Sequence, residues 1–479
     1  MGVNDDHELL GRAHAIGEEF RGALRERFVG ARAGRQQLLT GLAVGLTDDG
    51  LDPATVLEEL ARSAEPGLSA TAGPRWFGFV DGGSLPVALA ADWLTAAWDQ
   101  NAGLAIASPA AAVVEEVVAG WTLELLGLPI EASVGFVTGG QMANFSGLAA
   151  ARGQLLRGVG WDVYEDGLWS APRLCVLVSR QAHATIFAAL RMLGIGTGAA
   201  RLIDVDGQGR MCPDALARAL AQSDAPTLVC ASAGNVNTGA FDPFGPIADA
   251  VAAHGNCWLH VDGGFGLWAA ASPRHRHLLD GFERADSWAV DGHKWLNVPY
   301  DSGIAIVRHA DAQRAAMAVR APYLVRSTEG RGDGAEYVPE ASRRARGFVL
   351  YATLRSLGRN GVARLIERCC DHATHFGELL AGADGVEVLN EVVLNQVLVR
   401  FLDDTEETSD ARTRSVIEQV QRDGTCWVGG TTWEGRSAMR ISVVNWSTED
   451  QDVARSVDAI LRAAADCAAE SRDASRRPT

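Results

Sequence analysis

The sequence predicts an α/β protein with a large domain on a mostly parallel mixed sheet and a smaller C-terminal α+β domain. Two patterns carry this. Between about 74 and 308, short apolar runs rich in Val, Ile and Leu alternate with helical patterns, as expected of a sheet covered on both faces. From 347 onward the order changes to helix, two strands, helix, strand and helix, which reads as a separate α+β layer. The 479 residues are 47% hydrophobic and 22% charged, which excludes wholesale disorder and allows a large core.

Residues 1–73 read as an arm of polar amphipathic helices, one of them, 52–62, opening on Asp-Pro-Ala-Thr, where Asp caps and Pro suits the first turn. The large domain is expected over 74–346, with strands at 174–178, 202–205, 227–231, 258–261, 287–290 and 304–307. Near its end, Ser327 to Gly334 is too polar and glycine-rich for a core and reads as a mobile loop. The small domain is expected over 347–470, with strands at 386–389, 396–401 and 437–444, and a flexible tail over 471–479.

A formal charge of −17 argues against general affinity for nucleic acid or an anionic membrane. The start, Met1-Gly2-Val3-Asn4-Asp5-Asp6, carries acids where an export signal has bases, and Glu115 and Glu116 break the apolar stretch that precedes them. The eight cysteines are scattered without zinc spacing, and His275, His277 and His293 match no familiar metal site. A reduced cytoplasm and no metal are expected.

Of 43 basic side chains all but Lys294 are arginine. Arg serves surface pairing as well as Lys but neither loses its proton nor forms an imine. A position that keeps the amine points to covalent or proton-transfer chemistry there, the alternative being a surviving surface lysine.

Four clusters stand at ends of expected elements, where open α/β sheets bind ligands. Thr138-Gly139-Gly140-Gln141-Met142-Ala143-Asn144 opens a helix and offers free amides to a phosphate, although an ordinary strand-to-helix connection looks the same. His260-Val261-Asp262-Gly263-Gly264 puts a carboxylate at a strand end, where it needs a partner or serves as a cap. Asp291-Gly292-His293-Lys294-Trp295 holds the lysine. His183, in Ser179-Arg180-Gln181-Ala182-His183, follows another apolar run and by itself would pass for a structural histidine.

Together with Asn235-Val236-Asn237-Thr238-Gly239, these runs resemble the group II decarboxylases, the family of the aromatic amino acid and glutamate decarboxylases, over about 74–453. The resemblance implies a fold-type-I enzyme that uses pyridoxal 5′-phosphate (PLP), normally a homodimer. It implies an imine between PLP and Lys294, Asp262 paired with the ring nitrogen, His183 stacked on the ring, Gly140 and Gln141 on the phosphate with His293 nearby, and Gly264 leaving room for the ring. The expected reaction is loss of CO2 from an L-amino acid to give the amine. The loop around Asp333 lacks the family's tyrosine at the matching place, so Tyr337 is weighed as the proton donor against a decarboxylative oxidation that yields an aldehyde. Transamination, carbon–carbon cleavage and a non-catalytic scaffold stay open as alternatives. Asn235-Val236 replaces the Thr-Thr of relatives, and Arg440 is the candidate contact for the substrate carboxylate. Trp76, Phe77 and Phe79 read as core more readily than as pocket.

Overall fold

The computed structural model describes residues 3–476 apart from 320, 323–326, 328, 329 and 331, with side chains described from 7 to 469. Much of the expected 327–334 loop, and 477–479 of the expected tail, lie outside the described residues. The chain forms two units that are discontinuous in sequence. One comprises Met1–Asp81, His375–Val388 and Val399–Thr479, the other Gly82–Thr374 and Leu389–Leu398.

The larger unit is built on a seven-stranded sheet: β1 (Ser133–Val137), β2 (Cys175–Ser179), β3 (Ala200–Ile203), β4 (Thr227–Ser232), β5 (Cys257–Asp262), β6 (Ser287–Asp291) and β7 (Gly303–Val307), in the order β1-β7-β6-β5-β4-β2-β3. Neighbours from β3 to β6 run parallel, and β7 is antiparallel to both β6 and β1. Two reversals leave β1 parallel to β6, so the C-terminal ends of β1, β2, β4, β5 and β6 share one edge. β1, β6 and β7 are buried at every residue, which explains why the sheet reads as apolar runs without alternation. Sequence periodicity missed β1, because Gly135 interrupts Ser-Val-Gly-Phe-Val. That glycine is required: a Cβ there would stand 2.4 Å from the Tyr337 carbonyl oxygen.

The helix Gly140–Arg157 crosses the sheet between β1 and β5 and buries Leu148, Ala149, Ala150 and Ala151 in a core shared with Val176, Leu228 and Trp258. Its Gly147 permits close contact with β5, since a Cβ would come within 2.9 Å of His260 Cε1.

β8 (Val386–Val388), β9 (Gln396–Phe401), β10 (Gly429–Trp433) and β11 (Arg436–Ser442) form a second sheet in the order β10-β11-β9-β8, all in the other unit except residues 396–398 of β9. β10 escapes sequence periodicity because Gly-Gly-Thr-Thr reads as a turn. The N-terminal segment belongs here for a physical reason. The guanidinium of Arg75, 1% exposed, donates to the carbonyls of Arg25 and Thr425, so the charge is buried among acceptors from both ends of the chain. Trp76 stacks on Trp427 at 4.4 Å and Phe77 meets Phe376 edge-on at 5.0 Å, while Phe79 is 61% exposed.

Candidate active site

The shared edge of the large sheet assembles the site. β6 ends at Asp291 and the chain turns at once, bringing Lys294 back so that its Nζ lies 2.8 Å from Asp291 Oδ2. The lysine side chain is 24% exposed and the aspartate 1%. Asp291 Oδ1 accepts the backbone N–H of Gly140 and stands 3.4 Å from His293 Nε2. One buried carboxylate thus joins three expected site residues from two strand ends. This role of Asp291 was not foreseen in the sequence, although the residue lies three positions before the sole lysine.

The turn carrying Lys294 is packed tightly from outside the sheet. A Cβ on Gly82 would lie 1.9 Å from the Lys294 carbonyl oxygen, and Gly83 N–H donates to Asn297 Oδ1 at 2.9 Å. His293 is held by the Ser302 N–H, which donates to its Nδ1 at 3.1 Å, and its ring lies 4.4 Å from that of Tyr300.

Asp262, the last residue of β5, accepts from Gly264 N–H at 3.2 Å through Oδ1 and from Asn144 Nδ2 at 3.1 Å through Oδ2. Gly264 marks the place where the groups converge. A Cβ built on it would lie 3.1 Å from Lys294 Nζ and 3.6 Å from both Asp262 Oδ1 and Asp291 Oδ2. The missing side chain leaves a cradle bounded by a primary amine and two carboxylates.

His183 caps the helix Ala184–Met192, its Nδ1 accepting from Thr185 N–H at 3.4 Å and lying 2.9 Å from Thr185 Oγ1. Gly140 and Gln141 open the helix Gly140–Arg157. The first amides of a helix have no intrahelical acceptor, and Asp291 takes that of Gly140, so of the two expected phosphate donors Gln141 is the one not given to that carboxylate. The Asn235 loop is occupied with itself: Oδ1 accepts from the Asn237 and Thr238 amides at 2.8 and 3.2 Å. Asp242 accepts from Met211 and Ser232 amides, both at 2.7 Å, and its burial pushes the carboxyl up to about 6.

Within the larger unit, Tyr337 is not brought to this cluster. The Tyr337 hydroxyl lies 2.6 Å from Arg314 Nη2, beside a cavity of about 300 Å³ that Ser133 and Val134 also line. That is the start of β1, whereas the Gly139-Gly140 turn follows its end. Arg440 belongs to the other unit, on β11, where burial lowers its pKa against the opposing charge of Asp81.

The residues fit the cofactor that the resemblance implies. A primary amine is what an aldehyde needs, a carboxylate is what a protonated ring nitrogen needs, a helix start suits a phosphate, and Gly264 leaves the space between them.

The family model for the pyridoxal-dependent decarboxylase conserved domain matches residues 36–402. Tryptophan decarboxylase 1 of Oryza sativa subsp. japonica is 31% identical over 425 residues, 83% of this chain and 81% of that one. L-2,4-diaminobutyrate decarboxylase of Rhizobium meliloti is 30% identical over 482 residues, 95% of this chain and 94% of the relative. A crystal structure of Oryza sativa TDC with PLP and tryptamine superposes with a TM-score of 0.90 at 25% identity, covering 97% of this chain and 99% of that one.

Proposed function

The chain belongs to the pyridoxal-dependent decarboxylase family, and from that premise we propose that it removes the α-carboxylate of an L-amino acid as CO2 and releases the amine. It is a PLP-dependent carboxy-lyase. The observation that carries the reaction to particular residues is the convergence of Lys294 Nζ and Asp262 Oδ1 on the bare Cα of Gly264.

Bound PLP supplies an electron-withdrawing ring that delocalises the electron pair left at Cα when CO2 departs. Lys294 is the amine that would hold the cofactor's aldehyde. Asp262, with both oxygens anchored, would keep the ring nitrogen protonated and the ring electron-poor. His183 would cover one face of the ring and the Gln141 amide would meet the phosphate, with His293, held by the Ser302 N–H, nearby. Asp291 keeps the lysine turned toward the cradle.

The same reading makes the enzyme a homodimer in the cytoplasm. It is supported by Trp98, Ile106 and Val113, which are 48%, 69% and 59% exposed along one stretch of the larger unit. Eight cysteines without a disulfide fit a reducing compartment. Among the described residues no helix is long and apolar enough to cross a membrane.

The test is a product assay. Purified enzyme with PLP is offered aromatic, acidic and diamino acids, scoring CO2, amine, aldehyde, ammonia and peroxide. Equimolar CO2 and amine are expected from at least one substrate. Aldehyde with ammonia and peroxide would replace this reading by decarboxylative oxidation.

A further inference from the structure

Asp262 and His183 stand on different segments, and one side chain touches the support of both. Asn144, 1% exposed on the first turns of the helix Gly140–Arg157, donates through Nδ2 to Asp262 Oδ2 and to Thr185 Oγ1, each at 3.1 Å. The orientation of the amide follows from its neighbours, because a carboxylate only accepts. Oδ1 must then accept from His260 Nε2, 2.8 Å away. That places the imidazole proton on Nε2, and burial, which pushes this histidine down to about 4, keeps the ring neutral. His260 Nδ1 consequently accepts from the Ser287 hydroxyl at 2.8 Å, and the Ser287 oxygen accepts from Trp258 Nε1 at 2.8 Å.

Every donor in this buried chain points the same way, from Trp258 through Ser287, His260 and Asn144 to Asp262. The branch at Thr185 is equally determined. Its oxygen accepts from Asn144, and His183 Nδ1 accepts the Thr185 backbone N–H, so the Thr185 hydroxyl hydrogen goes to His183 Nδ1 at 2.9 Å. The core thereby sets the carboxylate rotamer of Asp262 and leaves the His183 proton on Nε2. Gly147 lets the helix sit directly on His260, so the chain has little freedom to rearrange.

We infer that Asn144 is a positioning residue that couples the carboxylate under the ring nitrogen to the histidine on the ring face, through its two amide hydrogens. The inference rests on the assignment of Asp262 and His183 as cofactor contacts and extends it to residues that touch neither cofactor nor substrate.

The experiment resolves the full-length enzyme to apoprotein, titrates it with PLP, and records the dissociation constant, the visible circular dichroism of the bound cofactor and the thermal midpoint of the apoprotein. Thr185→Val is expected to keep the thermal midpoint, weaken PLP about tenfold, the worth of one hydrogen bond, and reduce the visible dichroism. Asn144→Leu is expected to weaken it further, and the double variant to lose less than the product of the single changes. Wild-type affinity and dichroism in both single variants, or fold-changes that multiply, would overturn the coupling. If Asn144→Leu does not fold, Thr185→Val alone decides by the same two readouts. Asp262→Ala and His183→Ala separate the layers: if these leave PLP binding and dichroism untouched, the cofactor assignment fails; if they change them and Thr185→Val does not, the coupling alone fails.

Discussion

Lys294 Nζ sits 2.8 Å from Asp291 Oδ2, on a carboxylate that is itself 1% exposed and also holds the Gly140 amide. The only lysine of the chain is therefore tied, through one buried side chain, to the start of the helix Gly140–Arg157.

Lys294→Ala is expected to abolish turnover at every substrate concentration. Borohydride reduction of the wild-type holoenzyme, followed by peptide mass analysis, should place the pyridoxyl label on Lys294. Label on another residue would refute the assignment.

Asp291→Ala removes three contacts at once and leaves a quarter-exposed lysine without its counter-charge. Breaking a buried pair costs about 3–5 kcal/mol, and partial exposure of Lys294 puts the expected loss at the lower end of that range. Urea unfolding of the apoprotein measures it, and a wild-type midpoint would contradict the geometry.

Gly264→Ala tests the cradle. The added methyl lies no closer than 3.1 Å to any neighbour, so the apoprotein should fold with near-normal stability, while PLP affinity falls at least tenfold because the methyl occupies the space between amine and carboxylate. Unchanged affinity would move the ring elsewhere.

Tyr337→Phe is expected to leave the amine as product and kcat within about threefold of wild type, because the hydroxyl is committed to Arg314 at 2.6 Å, and losing a hydrogen bond to a charged group, worth about 1.5 kcal/mol, falls on stability. A switch to aldehyde would show that this tyrosine returns the proton.

The pH dependence of stability should contain two opposed contributions. His260 is depressed from 6.5 to about 4 in the folded state, so the unfolded chain binds its proton first, and stability is lost as pH falls from about 6.5 to 4. Asp242 is raised from 3.8 to about 6, so the folded state binds its proton first, and stability is gained as pH falls from about 6 to 3.8. Each is on the order of 3 kcal/mol. Relative to wild type, Asp242→Asn should steepen the acid loss of stability and His260→Leu should flatten it. Urea unfolding of apoprotein between pH 7 and 4 reads both, and parallel curves would refute the burial that shifts these two groups in opposite directions.

Most of the large sheet was legible because buried parallel strands are continuous apolar runs. β1 was not, since Gly135 makes room for the Tyr337 backbone, a demand imposed by a segment some 200 residues away. Lys294, Asp262 and His183 were legible because their chemistry is unusual for their setting: a lone amine, a carboxylate at an apolar strand end, a histidine after another. Asn144 and Asp291 carry equally specific hydrogen bonds but look, in one dimension, like an ordinary helix residue and an ordinary turn residue.

By itself the sequence determined the alternation of strands and helices and the position of the one lysine, because hydrophobic period and functional-group chemistry are local properties. Only the tertiary structure decided which groups anchor the two oxygens of Asp262, that Asp291 clasps the lysine, and that Tyr337 is held by Arg314. Those depend on which strand ends share an edge and on which glycines let backbones touch, and such distances are set by packing between segments far apart along the chain.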